Sequence, residues 1–174
     1  EATKFRALMR DISTVRHSIE KPGKPEDVKP AAERMSSLSP EVNATAHAAV
    51  IKSKPIYMAI REAADGVAYN ADTPIDDIVN GKNKEVSAQE LYETFADTRE
   101  ALRKQYGDTV TLFRATGAQK PKATTNWATT KEFARQFGKN VISKETPVDD
   151  IIAVHVTRNG TYHEVIVGKP PGLQ

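Results

Sequence analysis

Apolar residues recur at helical spacing through the first hundred positions, and at every second position after that. In residues 3–20, Phe5, Leu8, Met9, Ile12, Val15 and Ile19 fall on one face of a charged amphipathic helix. Residues 21–30 hold Pro22, Gly23, Pro25 and Pro30 and read as a linker or extended loop. A short helix is expected around 31–38. Ser39 is a helix N-cap with Pro40 at the first helical position, and the alanine-rich run 44–52 continues that helix. Pro55 restarts it over 56–64, up to Gly66. Thr73 and Pro74 open a short helix that ends at Gly81. The clearest helical pattern is 87–106. Ser87 and Glu90 form a capping box, Leu91, Phe95, Leu102 and Tyr106 make one apolar stripe, and Gly107 closes it.

Beyond Gly107 the period changes. Val110, Leu112 and Arg114 alternate with Thr111 and Phe113, as in a strand. Thr129 and Glu132 cap a short helix through Phe137, stopped by Gly138. A brief strand is expected at 141–143. Longer ones are expected at 151–157 and 161–167, around the hairpin signal Asn159-Gly160. The tail, 169–174, is expected to fray. The predicted fold class is therefore α+β, with a helical part at 1–106 and a β-rich part at 107–168. The two read as one domain of 174 residues, since about sixty residues bury too little surface alone.

Composition narrows the chemistry. Charged residues make up 28% and hydrophobic ones 39%, the balance of a globular chain. The net charge of +2 gives no general electrostatic case for nucleic acid. Cysteine is absent, which excludes disulfides, thiolate zinc sites and thiol nucleophiles. No apolar run approaches the ~18 residues of a membrane span, and no signal peptide is visible at the start. The chain opens on Glu1, which reads as part of a longer protein.

Three pieces of the second half suit one cleft. A strand ends in a cation (Leu112, Phe113, Arg114, Ala115). A hydroxyl-rich stretch holds the only tryptophan (Thr124, Thr125, Asn126, Trp127, Ala128, Thr129, Thr130). A late apolar strand carries one acid (Tyr162, His163, Glu164, Val165, Ile166, Val167). Breaking the nicotinamide–ribose bond of NAD needs little acid help, because the leaving group is already cationic. It needs a carboxylate near a sugar that becomes oxocarbenium-like, a cation or amides for the pyrophosphate, and an aromatic face for nicotinamide. Each residue also has a plainer reading. Glu164 fits a surface acid on an edge strand, Arg114 an arginine snorkelling to water, and Trp127 a core residue. His155 and His163 lie on predicted strands without metal-spaced partners, so no metal is expected. No glycine-rich phosphate loop is present.

Together these residues resemble the arginine, serine, glutamate class of mono-ADP-ribosyltransferases, to which many bacterial toxins and effectors belong. The likeness spans about 107–168. Leu112 to Ala115 resembles the first motif. The second is matched from Asn126 through Phe133, Ala134 and Phe137, the segment entering the last sheet by Pro147 to Ile152, and the third motif by His163 to Val167. The resemblance implies an N-terminal helical lobe beside a split, mostly antiparallel sheet core, with NAD as co-substrate in the cleft. It implies that Arg114 and the backbone of Ala115 hold NAD, that Thr125, Asn126 and Trp127 line its site, and that Glu164 binds the nicotinamide ribose and drives transfer.

Three features depart from the pattern. Asn126 stands where the second motif usually begins with serine, so Thr124, Thr125 and Asn126 all remain candidates to orient Glu164. Tyr162 takes the acceptor-recognition place that arginine-modifying members fill with glutamate, which points away from protein arginine. The loop before Glu164 reads as a tight Asn159-Gly160 turn, short for substrate recognition. The acceptor is left as another protein side chain, a nucleic acid or a small molecule. Delivery into a target cell's cytoplasm as part of a larger secreted protein is implied, with an immunity protein as a possible partner. The alternatives are an NAD glycohydrolase on the same scaffold and a non-enzymatic binding module.

Overall fold

The computed structural model describes residues 37–64, 73–116, 123–157 and 162–172. The expected helix at 3–20, the loop at 21–30, most of the helix at 31–38 and the turn at Asn159-Gly160 lie outside these residues. All described elements before Gly107 are helical, and all strands follow it.

Helix α1 (Pro40–Ile51) starts as the sequence indicates. Ser39 Oγ accepts the Val42 N–H, Pro40 occupies the first turn, and Val42, Ala46 and Ala49 form the buried stripe. Helix α2 (Lys54–Ala64) follows and buries Ile56, Ala59 and Ile60. Helix α3 (Pro74–Val79) has a full capping box between Thr73 and Asp76. The pattern 87–106, expected as one helix, is two: α4 (Ala88–Thr94) and α5 (Ala96–Tyr106). The break at Phe95 has a packing cause. Leu91 and Phe95 enter one core cluster while Leu102 and Ala101 enter another, and one straight helix would not face both. Arg99, from α5, braces the break. Its guanidinium donates to the Tyr92 carbonyl and, at 3.1 Å, to that of Ile151, and it lies 3.5 Å over the Tyr92 ring. Ser87 caps α4 as predicted, but Glu90 answers the Ser87 hydroxyl rather than its backbone N–H. Gly107 closes α5 with φ +90°, a conformation that favours glycine.

The strands form two small antiparallel sheets. In one, β1 (Thr109–Ala115) pairs with β3 (Val141–Pro147), which runs four residues beyond the expected 141–143. In the other, the order is β2–β5–β4, where β2 is Thr124–Trp127, β4 is Ile151–Val156 and β5 is His163–Gly168. Residues 131–137 are one turn of α-helix, α6 (Lys131–Ala134), tightened into a 3-10 turn at Arg135–Phe137. The side-chain cap is Thr130. The sheets meet at a bridge in which Phe113 and Ala128 exchange backbone hydrogen bonds of 2.9 and 2.7 Å.

Both faces of the three-stranded sheet are covered. On one face Trp127, Val154, Val156 and Val165 pack with Val42 and Ala46 of α1, Leu102 of α5 and Leu112 of β1. His47 of α1 bonds the Val156 carbonyl at 2.7 Å. On the other face Ile152, Ala153 and Ile166 meet residues of α2, α3 and α4. Side-chain alternation puts Asn126, His155 and Glu164 on this second face, with Asn126 opposite Ile166 of that cluster and His155 and Glu164 one pair further along. No helix among the described residues is long and apolar enough to cross a membrane.

Candidate functional site

Glu164 lies on β5, the central strand of its sheet, and is 4% exposed. The reading of a surface acid on an edge strand does not apply. Its register partner on β4 is His155. Burying a carboxylate requires hydrogen-bond donors, and two converge on Oε1. The Asn126 amide donates from β2 at 3.1 Å, and the Tyr162 hydroxyl, from just before β5, at 2.6 Å.

The neighbours of Asn126 are occupied elsewhere, which decides among the three candidates. Thr125 and Trp127 share the opposite face of β2, and the Trp127 indole N–H donates to Thr125 Oγ1 at 2.8 Å. Thr124 is tied to Asp76 of α3. One Asp76 carboxylate oxygen accepts the Thr124 N–H at 2.9 Å and its hydroxyl at 2.6 Å, and the other accepts the N–H and hydroxyl of Thr73, both at 2.9 Å. Asn126 alone of the three donates to Glu164 in this arrangement.

Arg114 lies on β1, in the other sheet. It follows Phe113, so the Phe113–Ala128 bridge sets it beside the Trp127–Ala128 step, at the seam between the sheets. Its side chain is half-buried, and burial lowers its pKa from the ordinary arginine value. Ala115 is the last residue of β1, paired with Val141. A Cβ on Gly138 would lie 3.2 Å from the Ala115 Cβ, so this strand end is closely approached from one side.

Three placements differ from a single shared site, the first being Thr125, on the face of β2 opposite Asn126. Trp127, which the resemblance sets in the NAD site and its plainer reading in the core, is 9% exposed and belongs to the core between the sheet, α1 and α5. Tyr162 was expected to face an acceptor, but it is 2% exposed, its ring packs edge-on to Phe133 at 5.6 Å, and its hydroxyl is bonded to Glu164.

The sequence reading passed over two groups. Asp76 carried half a signal, since Thr73 and Asp76 have capping-box spacing. Its reach to Thr124 links residues 48 apart and leaves no local trace. His163 was weighed only as a metal ligand. Its Nε2 accepts the Thr129 N–H at 2.8 Å and contacts the Thr129 hydroxyl at 3.0 Å, and burial lowers its pKa to about 3. The arrangement as a whole is a fixed, buried carboxylate on a central strand, with a cation on the adjoining sheet. Comparison with protein-family models, curated proteins and solved structures finds no match to this chain.

Proposed function

We propose that this chain is a mono-ADP-ribosyltransferase domain of the toxin or effector type. It would cleave the nicotinamide–ribose bond of NAD and transfer ADP-ribose to a target macromolecule. One observation carries the reading: Glu164 is buried on a central strand and held by Asn126, the residue that stands at the head of the second motif. A carboxylate fixed in this way stabilises positive charge developing on the ribose as nicotinamide departs, without reorganising during the reaction. Arg114 is the phosphate-binding group, suited by a planar fork that meets two oxygens at once. The two antiparallel sheets act as the walls of the cleft, and the helices before Gly107 as its supporting lobe. The setting is a larger secreted protein that delivers this domain to the cytoplasm of a target cell.

Hydrolysis of NAD on the same scaffold is the second reading. It is favoured by the burial of Tyr162, which leaves the place two residues before Glu164 without a side chain presented to an acceptor. Incubation with labelled NAD and a whole lysate separates the two. Label on macromolecules supports transfer, with nuclease and protease treatment identifying the acceptor class, and free ADP-ribose alone supports hydrolysis. Glu164→Ala is expected to lower either activity by at least about 10²- to 10³-fold, the scale of losing one electrostatic stabiliser. Asn126→Ala is expected to lower it by about 10-fold through a lost hydrogen bond to a charged group. Full activity in Glu164→Ala would remove the site assignment.

A further inference from the structure

We propose that Tyr162 is a positioning residue for Glu164 rather than a contact for the acceptor. This rests on the NAD-cleaving reading of the site. Tyr162 precedes Glu164 by two residues, so both side chains leave the same face of the chain. The backbone of Tyr162 is held on both sides of the hairpin end. Its N–H donates to Thr157 Oγ1 at 3.2 Å, and its carbonyl accepts the Thr157 N–H at 3.0 Å. The ring is fixed next, edge-on to Phe133 with an interplanar angle of 74°. Phe133 in turn is buried, and its N–H is capped by Thr130. A tyrosine side chain has few rotatable bonds, so a fixed backbone and a fixed ring leave the hydroxyl almost one position. That position is 2.6 Å from Glu164 Oε1, within the range of a charge-assisted O–H···O bond.

Asn126 reaches the same oxygen from β2. The carboxylate is therefore held from two points of the sheet, and rotation about the end of the glutamate side chain would break both bonds. The functional consequence is specific. A residue that aligns Glu164 affects nicotinamide release whatever attacks afterwards, whereas a residue that recognises the acceptor affects transfer alone.

Tyr162→Phe tests this, since it keeps the ring and its packing and removes only the hydroxyl. Hydrolysis and transfer are both measured with labelled NAD. Both are expected to fall together by about 10-fold, with their ratio unchanged and the KM for NAD within about twofold. Loss of transfer with hydrolysis intact would overturn the proposal, as would unchanged turnover of both kinds. A melting-temperature cycle on Tyr162→Phe, Glu164→Ala and the double variant tests the contact without NAD. Tyr162→Phe is expected to lower the melting temperature by a few degrees in the native background and by little once Glu164 is alanine. Equal losses in both backgrounds would refute the contact. A native chain inert towards NAD would refute the enzymatic reading and the positioning role together, while the cycle still decides the hydrogen bond.

Discussion

His163 and Glu164 are neighbours on β5, but their side chains leave opposite faces of the sheet and meet different surroundings. Glu164 finds two donors; His163 acts as an acceptor. Because the Thr129 N–H donates to Nε2, the imidazole carries its proton on Nδ1, a tautomer assigned from this hydrogen bond. A second proton would set donor against donor in a site that excludes water. Burial accordingly lowers the pKa from 6.5 to about 3. Between these values the unfolded chain binds a proton at this position and the folded chain does not. Stability from this residue is therefore complete above about pH 6.5 and is lost as pH falls towards 3, by up to about 1.4 kcal/mol per pH unit. Urea denaturation across pH 7 to 4 should show this decline. His163→Gln, which retains a carbonyl for Thr129 and does not titrate, should flatten the profile by that slope. An equally steep decline in the variant would mean that other groups cause it.

Among the elements, the joint between α3 and β2 decides how the helices bear on the site. Asp76 is fully buried and accepts bonds from four groups, two at the start of its own helix and two on Thr124. Removing the carboxylate leaves buried N–H and hydroxyl groups without an acceptor. Asp76→Ala should therefore cost about 3 kcal/mol or more in urea denaturation, with Asp76→Asn intermediate because one oxygen remains. Thr124 is two residues from Asn126 on the same strand face, so Asp76→Asn should also lower NAD turnover in protein that remains folded. Most elements were legible because their signals are local. Ser39 with Pro40, Thr73 with Pro74 and the positive φ of Gly107 all act within one turn of chain, whereas the cap expected at Thr129 falls one residue later, on Thr130, because Thr129 is bonded to His163. The break at Phe95 was not legible, because Leu91, Phe95, Leu102 and Tyr106 share a stripe that suits one helix. Two separate cores, which only the folded chain creates, divide it. The end of β3 was missed for a similar reason, since Lys144 and Glu145 belong to an exposed stretch whose pairing with Thr111 and Leu112 has no apolar signature.

For the molecule as a whole, the sequence disclosed the order of cation, polar stretch and acid but not which side chains would meet. Strand periodicity assigns a face only once the neighbours are known. Asn126 rather than Thr125 reaches Glu164 because β2 pairs with β5 in the register Asn126–Ile166, and a shift of one residue would exchange them. The proposed role of Arg114 depends on how the sheets assemble, since the Phe113–Ala128 bridge and the packing of Leu112 against Trp127 and Val165 bring its strand to the others. NAD binding tests that assembly directly. A ligand at 100 times its Kd stabilises the native state by about 2.7 kcal/mol. For a chain of this length that corresponds to roughly 5–10 °C in melting temperature. Native protein should show such a shift with millimolar NAD, and Arg114→Ala should lose most of it, because the phosphate oxygens lose their bidentate partner. Glu164→Gln should retain it, since the amide still meets the ribose hydroxyls while the charge needed for bond breaking is gone. Binding kept with turnover lost in one variant, and binding lost in the other, would separate the two residues as the proposed site requires. A native chain whose melting temperature does not respond to NAD would instead favour the non-enzymatic binding module.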